Sequence, residues 1–159
     1  MERIRIGGVI VHHNLARIQA SGIQGVDLAT GLLSAFANNK INIQFIVHLF
    51  DDSYREQLIL AVDKADVQSA FYQVCKLQKA TMINHFSIQL DCALVGIHGP
   101  DFRIRPGIAG LYVQTLRNHG IRIMAISTSI STCAVLLSAK QVETAFHAIG
   151  LVFDYSKVR

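Results

Sequence analysis

Charged side chains are scarce in this chain of 159 residues: they make up 16%, against 51% hydrophobic residues. That balance excludes a disordered polyelectrolyte and points to a well-buried core. The length suits one ordinary domain or two small ones. Long apolar runs are missing too. None approaches the roughly 18–20 residues that span a bilayer, so no membrane is expected as a partner. The opening Met1-Glu-Arg-Ile-Arg-Ile6 runs straight into a strand-like pattern, without the apolar stretch and cleavage site of a secretory signal. The expectation is a cytoplasmic protein. Cysteines are few: Cys75, Cys92 and Cys133 are odd in number and far apart. They read as reduced core residues rather than a disulfide or a catalytic thiol. The net charge of +4 is mild, and no run of Lys or Arg makes a nucleic-acid patch. Arg103 and Arg105 read as solvated side chains.

Catalytic signatures are absent as well. The histidines are His12, His13, His48, His85, His98, His119 and His147, and none has a metal-ligand spacing. His12 and His13 are neighbours on an expected strand and so point to opposite faces. There is no Gly-x-Ser-x-Gly and no conspicuous Cys–His pair. Gly7-Gly8 does not lead into a helix, as a phosphate loop would. The carboxylates are few and scattered, and nothing suggests a general acid–base pair. No metal, cofactor or catalytic residue is expected. RNA-recognition modules stack bases on sheet aromatics, but the expected central strands Cys92–His98 and Ile121–Thr128 carry none.

What the chain does contain is a repeat. Asp63–Phe71 matches Ser138–Phe146 at an offset of 75, with Val67, Ala70 and Phe71 opposite Val142, Ala145 and Phe146. Upstream the offset is 80: Asn38–Ile43 lies against Asn118–Ile123, and Leu33 and Phe36 against Val113 and Leu116. The difference falls in the hairpin, where the first copy has a polar turn around Asp51, Asp52 and Ser53. Short apolar strands are expected at Leu15–Ser21 and Cys92–His98. Helices follow over 27–39 and 106–119, with Leu28, Leu32, Leu33 and Phe36 on one face of the first. Ile108, Leu111, Tyr112, Thr115 and Leu116 do the same on the second. Pro106 suits a first helical turn and Gly120 a position just past a helix end. Strands over 41–49 and 121–128, then 55–62 and 132–137, lead to helices over 66–79 and 139–149. Ser138 with Gln141 has capping-box spacing, and Asp63 and Asp66 place acids at a helix start.

This order is the split βαβ, ferredoxin-like unit, an α+β fold with two helices on one face of an antiparallel sheet. Phe86–Leu90 closes the first copy and Val152–Tyr155 ends the second. The expected domains are 14–90 and 91–159, with strand 4–11 completing the second sheet. Alternation puts Ile41, Ile43, Phe45 and Val47 on one sheet face, and Asn42, Gln44, Ile46 and His48 on the other. One loop has the character of a ligand site. Gly99-Pro-Asp-Phe-Arg-Ile-Arg-Pro-Gly107 joins a buried strand to a helix N-terminus, where exposed N–H groups attract a carboxylate. Its glycines equally serve simply to turn the chain.

The stretch Val95–Leu137 resembles the second ACT domain of aspartate kinases. It carries Gly96-Ile-His-Gly99, then Pro106-Gly-Ile-Ala109 at the helix start, then Gly120-Ile-Arg-Ile123 and Ile126-Ser-Thr-Ser129. The first copy resembles the first ACT domain of the same region through Lys40-Ile-Asn-Ile43 and the strand pair after it. The likeness covers nearly the whole chain. It implies a non-catalytic, allosteric regulatory module with one ACT domain inserted in the other. Such a module binds an amino acid, typically lysine or threonine, and forms a homodimer through its sheets. The kinase domain that precedes this region in the family is not in this sequence. A regulatory subunit that joins an amino-acid kinase chain and a free-standing ACT protein are both implied.

The ligand-binding positions carried over are Gln24, Val26, Asp27, Asn42, Gln44 and His48 in the first copy. In the second they are Asp101, Arg105, Pro106, Gly107, Ile108, Ala109, Ser127, Thr128 and Ser129. The first copy departs from the family: Val26-Asp27 stands in place of Pro-Gly, and Gln44 and His48 replace groups expected to hold the effector. Asp27 adds a negative charge where an effector carboxylate would meet the helix dipole. In the second copy the Glu that usually follows Ser-Thr-Ser is Ile130. Either an altered ligand or decayed sites on a protein-interaction or dimerisation module would follow.

Overall fold

The computed structural model describes residues 3–155, apart from the side chain of Asp101. Residues 1–2, and residues 156–159 at the end of the second expected domain, lie outside the described residues. The chain divides into two compact units: an inner one, Asn14–Leu90, and an outer one formed by Met1–His13 with Asp91–Arg159. Each is mixed α+β.

Two long strands, β2 (Gly8–Gly22) and β5 (Ile83–His98), contribute residues to both units. The other strands are β1 (Ile4–Arg5), β3 (Ile43–Phe50), β4 (Glu56–Asp63), β6 (Ala125–Thr128), β7 (Thr132–Ser138) and β8 (Phe153–Asp154). The helices are α1 (Leu28–Asn38), α2 (Val67–Lys79), α3 (Ile108–Asn118) and α4 (Val142–Val152). In the inner unit the strand order is β3-β4-β2-β5, and in the outer unit β2-β5-β7-β6. The β2–β4, β3–β4, β5–β7 and β6–β7 pairs are antiparallel. The outer unit adds the short parallel pair of β1 with β8.

Period-2 patterning accounts for the cores. Along β4, Leu58, Leu60 and Val62 are fully buried and pack with Leu28, Leu32 and Phe36 of α1 and with Ala70 and Val74 of α2. In the outer unit Val95, Ile97, Val135 and Leu137 pack with Tyr112 and Leu116 of α3 and Ile149 of α4. Each large side chain so buried contributes about 1.5–3 kcal/mol. The Tyr112 hydroxyl donates to the Val95 carbonyl at 2.9 Å, which removes the cost of burying it.

Several local expectations are corrected. The register of β3 on β4 shifts between Ile43 and Phe45. Ile43 stands opposite Val62, but Phe45 stands opposite Ala61 and His48 opposite Leu58. The extra residue at Gln44 is a bulge, and beyond it the alternation inverts. Ile46 and His48 therefore share the helix-covered face with Ile43, while Phe45 and Val47 lie on the other. Pro106 stands outside α3, ahead of the N-cap Gly107. The expected capping box of Ser138 with Gln141 is not formed. The Gln141 amide instead bonds the Gly120 carbonyl and the Arg122 N–H. Short 3-10 turns, Lys64–Asp66 and Ala139–Gln141, precede α2 and α4, so α4 begins three residues later than the pattern indicates. The strand expected over 121–128 is shorter, because the Ile121 N–H returns to the Leu116 carbonyl and the ladder is joined only at Met124.

Candidate functional site

The start of α1 gathers the inner unit's polar groups. A helix opens with N–H groups that have no partner within the helix. Here each has one. The Leu28 N–H donates to the Val26 carbonyl at 3.0 Å, and the Gly31 N–H to the Asp27 carbonyl at 3.4 Å. The Thr30 N–H donates to Asp27 Oδ1 at 2.9 Å, so Asp27 is the N-cap. The Ala29 N–H donates to Glu56 Oε2 at 2.7 Å. Hydrogen bonds from the Thr30 N–H and hydroxyl hold the Asp27 carboxyl below its usual value, and the nearby His48 adds a smaller pull in the same direction.

Glu56 is the residue that sequence reasoning missed. It opens β4 opposite Phe50, in phase with Leu58, Leu60 and Val62, and is 8% exposed. His48 Nε2 lies 3.6 Å from Glu56 Oε2. The signal was present: an acid in register with three buried aliphatic residues is anomalous on a core face. Its partner lay 27 residues away along the chain, beyond any local pattern.

Of the inner candidates, Val26, Asp27 and His48 thus surround the α1 N-terminus. Gln24 is exposed in the preceding turn. Asn42 and Gln44 are not brought to this end. Ile41, next to Asn42, bonds through its N–H to Phe36 near the opposite end of α1, and Gln44 occupies the bulge.

The outer unit presents the same geometry with different residues. Gly107 is the N-cap of α3 at φ 93°, a left-handed conformation that favours glycine. No described side chain caps the helix, and the N–H groups of Ile108, Ala109 and Gly110 make no hydrogen bond among the described residues. At the repeat offsets, Gly107 stands where the inner unit has Asp27, Thr128 where it has His48, and Ser131 where it has Glu56. Thr128 pairs with Cys133, a core residue, and so lies on the helix-covered face, whereas Ser127 pairs with Ala134 on the other. Ser129 donates its N–H to the Thr132 carbonyl in the hairpin turn. Arg105 and Pro106 are exposed just before Gly107, Ile108 is buried and Ala109 half-buried at the helix start. Asp101 lies in the 3-10 turn Pro100–Arg103.

Among the described residues no group of three or more His, Cys, Asp or Glu could hold a metal ion. Burial pushes the Cys133 thiol up to about 11, which leaves it protonated at neutral pH and a poor nucleophile. No described helix is long and apolar enough to cross a membrane.

No family model matches the chain. Its fold is that seen in regulatory parts of aspartate kinase. The regulatory subunit of aspartate kinase from Thermus thermophilus, in its ligand-free form, superposes with a TM-score of 0.83 at 24% identity, over 94% of this chain and 99% of that one. Escherichia coli aspartokinase III, in complex with lysine and aspartate, superposes with a TM-score of 0.66 at 14% identity, over 94% of this chain and 33% of that one. In sequence, an aspartokinase of a Bacillus species is 23% identical over 98% of this chain. The chain spans 38% of that relative's length.

Proposed function

We propose that the chain is a non-catalytic, cytoplasmic regulatory module of the aspartate-kinase type, built of two ACT domains, that binds a free amino acid and pairs with a second copy through its sheets. The observation that carries this reading is the near end-to-end likeness to a separate regulatory subunit, 94% of this chain over 99% of that one. Lysine and threonine are the first ligands to test, and an amino-acid kinase chain is the natural partner. Within the module we assign the effector carboxylate to the start of α3. No described side chain caps the N–H groups behind Gly107, and such an end favours an anion. Arg105, Ile108, Ala109 and Thr128 complete the proposed contacts.

Free lysine or threonine at millimolar concentration is expected to raise the melting temperature by mass action. A panel of the twenty amino acids without any shift would sink amino-acid binding. It would leave the second reading, an interaction module with decayed ligand sites, which the closed start of α1 favours. Co-purification with an amino-acid kinase chain would then be the expected result.

A further inference from the structure

We infer that Glu56 is a built-in substitute for an effector carboxylate: it is seated on the N-terminus of α1 and closes the inner unit to free amino acids. The inference deepens the proposed function, since it rests on reading both units as amino-acid-binding modules. Two observations meet at one atom, and a third concerns the same helix end. Glu56 Oε2 accepts the Ala29 N–H at 2.7 Å, a charge-assisted bond of the kind a ligand carboxylate makes at such an end. The same oxygen lies 3.6 Å from His48 Nε2, so a cationic partner is available to the carboxylate at this helix end when His48 is protonated. The other first-turn N–H groups are occupied by Val26 and Asp27, so no donor remains for a second anion. Glu56 and Asp27 together place two carboxyl groups at this helix end, and a third would meet their repulsion.

The repeat sharpens the argument. All three groups change together in the outer unit, where Gly107, Thr128 and Ser131 supply no carboxylate. One copy therefore has a tethered anion, and the other a helix end that no described side chain caps. A tethered group acts at high effective concentration, so a free amino acid at millimolar levels does not displace Glu56.

The test uses the full chain and sodium acetate as the probe, against sodium chloride at equal ionic strength. In wild type, acetate and chloride are expected to leave the amide resonances of Ala29 and Thr30 alike. In Glu56→Ala, acetate is expected to move those resonances, and to raise the melting temperature over chloride by more than it does in wild type. A Glu56→Ala protein whose response to acetate at Ala29 and Thr30 matches wild type overturns the inference. Should that variant fail to fold, Glu56→Gln keeps the shape and removes the charge, and amide exchange at Ala29 is expected to quicken against wild type. Unchanged exchange there overturns the inference as well. Neither readout requires an amino acid to bind anywhere. Acetate rescue without any amino-acid shift in wild type would keep the inference and discard amino-acid sensing, and the opposite pair of results would do the reverse.

Discussion

Asp27 shows how a single residue sets the character of a site. A glycine there, as at Gly107 in the other copy, would leave the Thr30 N–H without its side-chain acceptor; aspartate supplies that acceptor and adds charge. Its carboxyl is held below the usual value, chiefly by the Thr30 N–H and hydroxyl. A depressed carboxylate contributes stability that is present above its unfolded pKa of roughly 3.9 and is lost as the pH falls through the folded value. The melting temperature is accordingly expected to fall on acidification below about pH 4. Asp27→Asn keeps a cap and removes the titration, so its melting temperature should depend less steeply on pH over that window. An identical acid slope in the two proteins would show that Asp27 is not responsible. Glu56 makes the complementary point: a lone acid on a core face is tolerated because a helix end supplies its hydrogen bond.

At the scale of elements, the two copies end their first helices alike. The N–H groups of Ile41 and Ile121 return to the Phe36 and Leu116 carbonyls, at 2.9 and 3.1 Å. Both ends need a left-handed residue, which is Gly120 at φ 72° in one copy and Lys40 at φ 58° in the other. A non-glycine pays about 1–2 kcal/mol there, offset by about 0.5–1 kcal/mol of extra glycine entropy. Lys40→Gly is thus expected to stabilise the inner unit by roughly 0.5–1 kcal/mol in denaturant unfolding; a loss of stability would refute this account of the helix end. The bulge at Gln44 is the other decisive element. By inverting the alternation of β3 it delivers His48 to the face of Glu56; a strand in regular alternation would have turned His48 away.

For the whole molecule, the relevant fact is two separate cores, one inner and one outer. Phe36→Ala removes a fully buried ring of the inner core and is expected to cost about 3–5 kcal/mol. Hydrogen exchange should then rise chiefly in residues 14–90. A rise of equal size across 91–155 would mean that the units unfold as one. The same division organises the functional reading, in which the open helix end belongs to the outer unit and the closed one to the inner.

Much of this was legible in the sequence because it is local. Hydrophobic periodicity placed α1, α2 and α3 within two residues of their observed ends, and the repeat marked equivalent positions such as Gly107 and Asp27. Strands were readable where one face is buried, but not where a turn of backbone leaves the pairing intact. Asn14 and Asp91, at φ 56° and 55°, lie within the continuous strands β2 and β5, each of which reads as two segments. The order of strands, the bulge at Gln44 and the meeting of Glu56 with Ala29 were decided only by the tertiary structure. Each depends on groups tens of residues apart, whose pairing is chosen by the burial of whole faces and by the demand of a helix end for an acceptor. Composition had already excluded disorder, and the chain's own residue types had set an anion-attracting helix start in each copy. Whether that start is open or filled is a matter of which side chain the folded sheet carries up to it.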